Sequence, residues 1–206
     1  MTLTLYTNPM SRGRIARWML EEVGAPYDTV VLDYATTLKA EPFLSINPMG
    51  KVPAIVHDGR VVTEGAAICA YLAEAFPAAG LAPTDDERAD YYRWLFFAAG
   101  PVEAAITNRS LGVAPDEKQQ RMVGYATFDR MVDVFEAAVS AHPFIAGDRF
   151  TAADVYVGAQ VIWGLQFGSL PSRDGFASYA SRLTTRDAYT RAAALDDAAI
   201  AVAATV

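Results

Sequence analysis

Apolar and polar residues alternate with a period of two over Leu3-Thr4-Leu5-Tyr6-Thr7, which predicts a first strand. After the turn Asn8-Pro9-Met10-Ser11 the period lengthens. Ile15, Ala16, Met19, Leu20 and Val23 recur at helical spacing and predict a helix from about Arg12 to Val23, closed by Gly24 and Pro26. Tyr27 to Leu32 reads as a second strand. Strand, helix and strand in succession make a βαβ unit, whose crossover is right-handed. Pro42 to Ile46 is a short helical piece. The stretch Asn47-Pro48-Met49-Gly50-Lys51-Val52-Pro53-Ala54-Ile55-Val56 then turns into a strand, because Pro53 lacks the N–H that a ladder interior needs. Asp58-Gly59 between two β-branched runs predicts a tight hairpin. Thr63-Glu64-Gly65-Ala66-Ala67-Ile68 leads out of its second strand into a helix from Ala66 to Phe76, stopped by Pro77.

Beyond Pro77 no strand pattern recurs. Thr84 and Glu87 form a capping box that starts a helix carrying Tyr91, Tyr92, Leu95, Phe96 and Phe97, with Gly100-Pro101 kinking or dividing it. Pro115-Asp116-Glu117 begins another helix, with Phe128, Val132, Phe135 and Val139 as its core stripe and His142-Pro143 as its end. Thr151-Ala152-Ala153-Asp154 is a second cap, flanked by Phe150 and Val155 as a hydrophobic staple. The segment that follows, through Trp163 and Phe167, is apolar on nearly every side and predicts a buried central helix, broken at Leu170-Pro171. The alanine-rich remainder is expected to be helical and to fray near Val206. The pattern as a whole predicts an α+β chain: a compact domain over 1–77 with a mixed four-stranded sheet (βαβ, then ββα), a linker over 78–84, and an all-helical domain over 85–206.

Composition narrows the function. The chain has 206 residues, 52% hydrophobic and 20% charged, as expected of a globular protein with a sizeable core. A formal charge of −7 argues against nucleic acid or an anionic membrane as partner. The single cysteine, Cys69, precludes an internal disulfide framework and suits a reducing compartment; on an apolar helix face it reads as a buried structural thiol. With no signal-peptide pattern and no run of membrane-spanning length, the expected location is cytoplasmic.

Two kinds of backbone donor meet in the middle of the first domain. A Val52-Pro53 bond at a strand entrance is a candidate cis peptide that leaves the Val52 N–H and C=O open to an extended peptide. The first N–H groups of the helix near Gly65 and Ala66 lack partners inside the helix and can hold a carboxylate. An edge for a peptide backbone beside a carboxylate nest describes a small anionic peptide site; the alternative is an ordinary hairpin packed on a helix. Ser11, after the first strand and just before the first helix, is either a plain N-cap or a hydroxyl donor. His57 and His142 have no adjacent nucleophile and are not expected to be catalytic.

A mixed sheet with a Val-Pro edge followed by a helical domain with a capped and stapled central helix resembles the cytosolic glutathione S-transferases. The resemblance covers essentially the whole chain and rests on Asn47 to Ala54, Thr63 to Ile68, and Ile145-Ala146-Gly147-Asp148 through Asp154. Asn8-Pro9-Met10-Ser11 is most similar to serine-type members of bacterial and plant-like subgroups. The resemblance implies a thioredoxin-like first domain, glutathione as co-substrate and no metal. It implies that Val52 pairs through its backbone with the cysteinyl part of glutathione, with Pro53 in cis. Glu64 and position 65 would hold the γ-glutamyl end, and Lys51 and Lys39 the glycyl carboxylate. Gly65 departs from the serine or threonine usual there. Ser11 is the implied activator of the thiol, with Tyr6 as alternative and Arg12 as an electrostatic assistant. Met10, Phe97, Trp163 and Phe167 are the implied contacts of a small hydrophobic electrophile, and a homodimer is expected. Isomerisation, dehalogenation or peroxide reduction on the same fold, or a binding or regulatory role with little turnover, are the alternatives.

Overall fold

The computed structural model describes residues 2–203. The alternation at the start of the chain forms β1 (Leu3–Thr7), with Leu3, Leu5 and Thr7 buried and Thr4 and Tyr6 half-buried on the opposite face. It is followed by α1 (Gly13–Val23), β2 (Asp28–Val31), α2 (Phe43–Ile46), β3 (Ala54–His57), β4 (Arg60–Thr63) and α3 (Gly65–Ala75). The strand order is β2-β1-β3-β4; β1 and β2 run parallel, and the β1–β3 and β3–β4 pairs are antiparallel. This is the mixed four-stranded sheet that the periodicity predicts.

Local chemistry accounts for the ends of these elements. Asp58 and Gly59 hold φ of 47° and 79°, the pair of positive angles that a two-residue hairpin requires. Gly24, at φ 67°, closes α1 by donating its N–H to the Leu20 carbonyl at 3.1 Å. Ile15, Ala16, Met19 and Leu20 are buried along α1, as their spacing predicts. Leu32, Leu38, Phe43 and Ala54 form a separate buried cluster, against which Tyr6, Ile46 and Val52 pack.

The helical elements are α4 (Arg88–Phe97), α5 (Glu103–Ser110), α6 (Phe128–Ala141), α7 (Ala152–Gln166), α8 (Asp174–Thr184) and α9 (Asp187–Ala203). Gly100-Pro101 divides the helix as expected: a π-helical turn over Ala98–Val102 carries Pro101 and joins α4 to α5. Two expectations are revised. The helix expected from Pro115 does not start there. Residues 115–127 hold only a short 3₁₀ turn, Gln119–Arg121, and α6 begins at Phe128 after Ala126 takes φ 57°. The Thr127 hydroxyl then accepts the Arg130 N–H at 3.1 Å, so the working N-cap lies twelve residues past the one expected at Pro115. The second revision concerns the grouping of the helices. Residues up to Ala82 form one compact unit with those from Thr185 onward, and Pro83–Thr184 form the other. The helical domain expected over 85–206 thus loses α9, which packs along α1. The expected fraying near Val206 lies outside the described residues.

In the second unit α7 is the buried axis, as its all-round apolarity predicts. Asp154, fully buried, accepts from the N–H of Thr151 at 2.9 Å, the Thr151 hydroxyl at 3.1 Å, the N–H of Ile145 at 2.7 Å and the Tyr179 hydroxyl at 2.7 Å. Burial raises its carboxyl pKa against the pull of those four donors. Phe150 and Val155 are both buried on either side of the cap, as a staple requires.

Candidate functional site

The site is built from two loops with the same device. Asn8-Pro9-Met10 and Asn47-Pro48-Met49 repeat one tripeptide, and each asparagine folds back on the chain two residues later. Asn8 Oδ1 accepts the Met10 N–H at 2.9 Å, and Asn47 Oδ1 accepts the Met49 N–H at 3.2 Å. Asn8 Nδ2 then ties its loop to the chain just past β2, donating to the Leu32 carbonyl at 2.8 Å, while Asn47 Nδ2 closes its own loop by donating to the Lys51 carbonyl at 2.8 Å. Both side chains are buried and satisfied, so both loops are held in one conformation.

In the first loop Ser11 is half-buried. Its hydroxyl donates to the Asn8 carbonyl at 2.6 Å and accepts the Gly13 N–H at 2.9 Å. It therefore caps the entrance of α1, and its one proton is committed within the loop. Gly13 has no room for a side chain: a Cβ there would lie 1.9 Å from Thr7 Oγ1. That close approach sets the first turn of α1 directly on the end of β1 and keeps Ser11 beside it. Arg12 is exposed at the helix start. Tyr6 packs its ring on Phe43, with centroids 5.7 Å apart. It thus belongs to the cluster of Leu32, Leu38, Phe43 and Ala54.

In the second loop the Val52–Pro53 peptide is cis. Neither backbone group of Val52 is paired among the described residues. β3 starts two residues on, and its register pairs Ala54 with Thr63, which brings Val52 level with the start of α3 at Gly65. There Ile68 donates the first intrahelical bond, to the Glu64 carbonyl at 2.9 Å, leaving the N–H groups of Gly65, Ala66 and Ala67 without helical partners. Glu64 holds φ 65° and ψ 118°, a conformation that costs a non-glycine residue energy and recurs at ligand sites. Its side chain is exposed. Lys39 donates from Nζ to the Gly50 carbonyl at 2.6 Å, so it braces the turn before Val52 while keeping two further N–H donors. Lys51 is exposed next to it in sequence.

The four residues expected around an electrophile divide between the units. Met10, 71% exposed, stands on the first loop. In the second unit Phe97 packs edge-on against Trp94 and near Phe135, a core role. Trp163 is half-buried on α7, and Phe167, one turn later, is 74% exposed. Cys69 is fully buried, and desolvation pushes its thiol well above the ordinary value, which suits the structural role expected of it. His57 Nδ1 lies 3.0 Å from the Tyr71 hydroxyl and its ring stacks on Phe76. Three residues that shape the site carry no role of their own in the sequence analysis: Asn8, Gly13 and Asn47. The two Asn-Pro steps were the available signal for the asparagines, since asparagine before proline favours turn initiation. Among the described residues no helix is long and apolar enough to cross a membrane.

A βαβ–ββα sheet with an open strand entrance at Val52, followed in the chain by a helical bundle built on a capped, buried helix, defines a thioredoxin-like domain joined to an all-helical one. Comparison with known proteins makes the class specific. Residues 1–74 match the model of the glutathione S-transferase N-terminal domain, and residues 103–163 that of the glutathione S-transferase C-terminal domain. Glutathione S-transferase 3 of Zea mays is 32% identical over 169 residues, covering 74% of this chain and 73% of that protein. Among solved structures, a glutathione transferase from Methylococcus capsulatus superposes with a TM-score of 0.78 at 26% identity, covering 95% of this chain and 99% of the other. A sphingomonad glutathione S-transferase complexed with glutathione gives 0.77 at 26% identity, with coverage of 94% and 98%. The chain belongs to the glutathione S-transferase family.

Proposed function

We propose that glutathione lies along the open backbone of Val52 and is activated as a thiolate by Ser11 for attack on a small hydrophobic electrophile. The chain is a glutathione transferase, and glutathione is its co-substrate. The unpaired N–H and C=O of Val52 carry the proposal, because they offer the cysteinyl segment of a peptide both halves of a strand pairing. The N–H groups opening α3 receive the γ-glutamyl carboxylate, with Glu64 facing its ammonium. Lys51 and the two remaining donors of Lys39 serve the glycyl carboxylate. Ser11 rotates its hydroxyl from Asn8 to the sulfur, Arg12 adds positive potential, and Tyr6 stays with Phe43. On the first loop, the exposed Met10 serves the electrophile. The protein acts in the cytoplasm as a homodimer and needs no metal.

Calorimetric titration with glutathione, followed by a conjugation assay with an activated aryl halide, tests this. Binding in the millimolar range or tighter, with turnover, is expected. No heat at millimolar glutathione would sink the proposal. A sedimenting species with the mass of one chain would contradict the dimer.

A further inference from the structure

The loop that carries Ser11 is gripped from an unexpected direction. Arg14, in the first turn of α1, donates from Nε to the Pro9 carbonyl at 2.6 Å and from Nη2 to Asp197 Oδ1 at 2.6 Å. One guanidinium thus joins the loop between β1 and α1 to the last helix of the chain. That helix, α9, lies against α1 with three further ion pairs. Arg17 Nε meets Asp196 Oδ1 at 2.9 Å, with side chains only 5% and 1% exposed. Arg186 takes both oxygens of Glu22, each at 2.7 Å, and Arg191 Nε reaches Glu21 Oε2 at 3.2 Å. Trp18 and Tyr189 meet edge to face between them, at 5.0 Å. The buried Arg17–Asp196 pair fixes where α9 sits on α1. Desolvation works against the Arg17 charge, but Asp196 and Tyr27 outweigh it and hold the guanidinium pKa above its ordinary value.

We infer that Asp197 is a positioning residue for thiol activation, acting through Arg14 on the Pro9–Ser11 loop. The Arg14–Asp197 pair adds little stability, since Asp197 is 67% exposed and solvent screens it. Its value is geometric. A guanidinium is a rigid planar fork, so fixing Nη2 on a carboxylate also fixes the direction in which Nε points. With Asp197 present, Nε points at Pro9, two residues before Ser11. Asn8 holds the same loop from the other side, through Leu32. The Tyr34 hydroxyl also donates to the Met10 carbonyl at 3.3 Å, so Arg14 is one of three grips on the loop. Without Asp197 the fork is free to turn to solvent, the loop loses its hold at Pro9, and the hydroxyl is displaced from the sulfur. Thiolate stabilisation by one hydrogen bond is sensitive to such displacement.

This inference rests on Ser11 as the activator, so the test separates the two. The pKa of enzyme-bound glutathione is measured from the pH dependence of thiolate absorbance, together with kcat and KM, in Asp197→Ala, Asp197→Asn, Arg191→Gln and Ser11→Ala. Asp197→Ala is expected to raise the bound-thiol pKa by about half a unit, roughly a threefold loss of thiolate below the midpoint. The glutathione KM should stay nearly constant. Asp197→Asn keeps an oxygen acceptor for Arg14 and should restore most of the shift. Arg191→Gln removes an ion pair from the same helix seam but far from the loop, and should leave the pKa in place. Equal shifts in Asp197→Ala and Arg191→Gln would mean that α9 docking alone matters, and would overturn the inference. So would an unmoved pKa in Asp197→Ala when Ser11→Ala does raise it. An unmoved pKa in Ser11→Ala overturns the role of Ser11 itself, whatever Asp197→Ala does.

Discussion

Replacing Ser11 by alanine removes a hydroxyl that has two partners before any ligand arrives: the Asn8 carbonyl at 2.6 Å and the Gly13 N–H at 2.9 Å. Those partners set the size of the effect. A hydrogen bond to a charged sulfur is worth about 1.5–3 kcal/mol, but the proton must first leave Asn8, which costs about 0.5–1.5 kcal/mol. The net preference for thiolate is then about 1–1.5 kcal/mol, or about one pKa unit. A free thiol titrates near 8.5. The start of α1 contributes a further ~0.3–1 kcal/mol that survives the mutation. Ser11→Ala should therefore raise the pKa of bound glutathione by about one unit and lower kcat/KM near neutral pH about tenfold. The thiolate absorbance of the binary complex, titrated against pH, is the assay. Because the mutant also loses an N-cap worth about 0.5–2 kcal/mol, its thermal unfolding should be followed in parallel, so that the titration is read on folded protein. Tyr6→Phe should leave the thiol pKa alone, since the Tyr6 ring is engaged with Phe43. A bound-thiol pKa unchanged in Ser11→Ala would refute the reasoning, and a shift in Tyr6→Phe would transfer the role.

Gly65→Ser should tighten glutathione about ten- to a hundredfold by calorimetry, through a hydroxyl donor worth about 1.5–3 kcal/mol; unchanged affinity would mean the helix N–H groups already saturate the carboxylate. Gly13→Ala should destabilise the protein by about 1–3 kcal/mol in denaturant titration, because its Cβ would meet Thr7 Oγ1 at 1.9 Å. In the second unit, burial raises the Glu87 carboxyl, but hydrogen bonds from Arg149 and Thr84 outweigh it and hold its pKa below the ordinary glutamate value. A lowered carboxylate stabilises the fold above the unfolded value and loses that contribution as pH falls through the folded one. Glu87→Gln should accordingly be less stable than the parent at neutral pH, with the difference disappearing in acid; a constant difference would contradict the assignment.

Most of the sheet domain was legible because its local signals agree: the alternation of β1, the Asp58-Gly59 hairpin and the glycine end of α1 each specify one outcome. The capping box at Thr151 was equally plain, since serine- or threonine-type caps with an acid three residues on have few alternative uses. What was hidden has physical reasons too. The start of α6 was misplaced because Pro115-Asp116-Glu117 is a good helix opener locally, while the deciding event is a positive φ at Ala126, a residue with no preference for it. The need for glycine at position 13 depends on how closely α1 approaches β1, which no spacing encodes. The Ser11 position was visible, but the commitment of its proton to Asn8 was not. Above all, the alanine-rich C-terminal pattern says "helix" without saying against what. Asp196 and Asp197 look like solvated charges until Arg17 and Arg14, some 180 residues earlier, are found opposite them.

That pairing makes the first compact unit discontinuous along the chain, with Pro83–Thr184 intervening before its last helix is reached. During synthesis the N-terminal sheet emerges first, and units tend to fold as they emerge. Here the sheet leaves the ribosome with Arg14 and Arg17 unneutralised, and Arg17 belongs to a position that ends almost fully buried. An uncompensated arginine there opposes closure of the α1 surface until Asp196 is made. The sheet can form its ladders early, but the link from the Pro9 carbonyl through Arg14 to Asp197 waits for α9. If that link positions Ser11 as proposed, nascent chains that stall before α9 carry a platform without a set trigger.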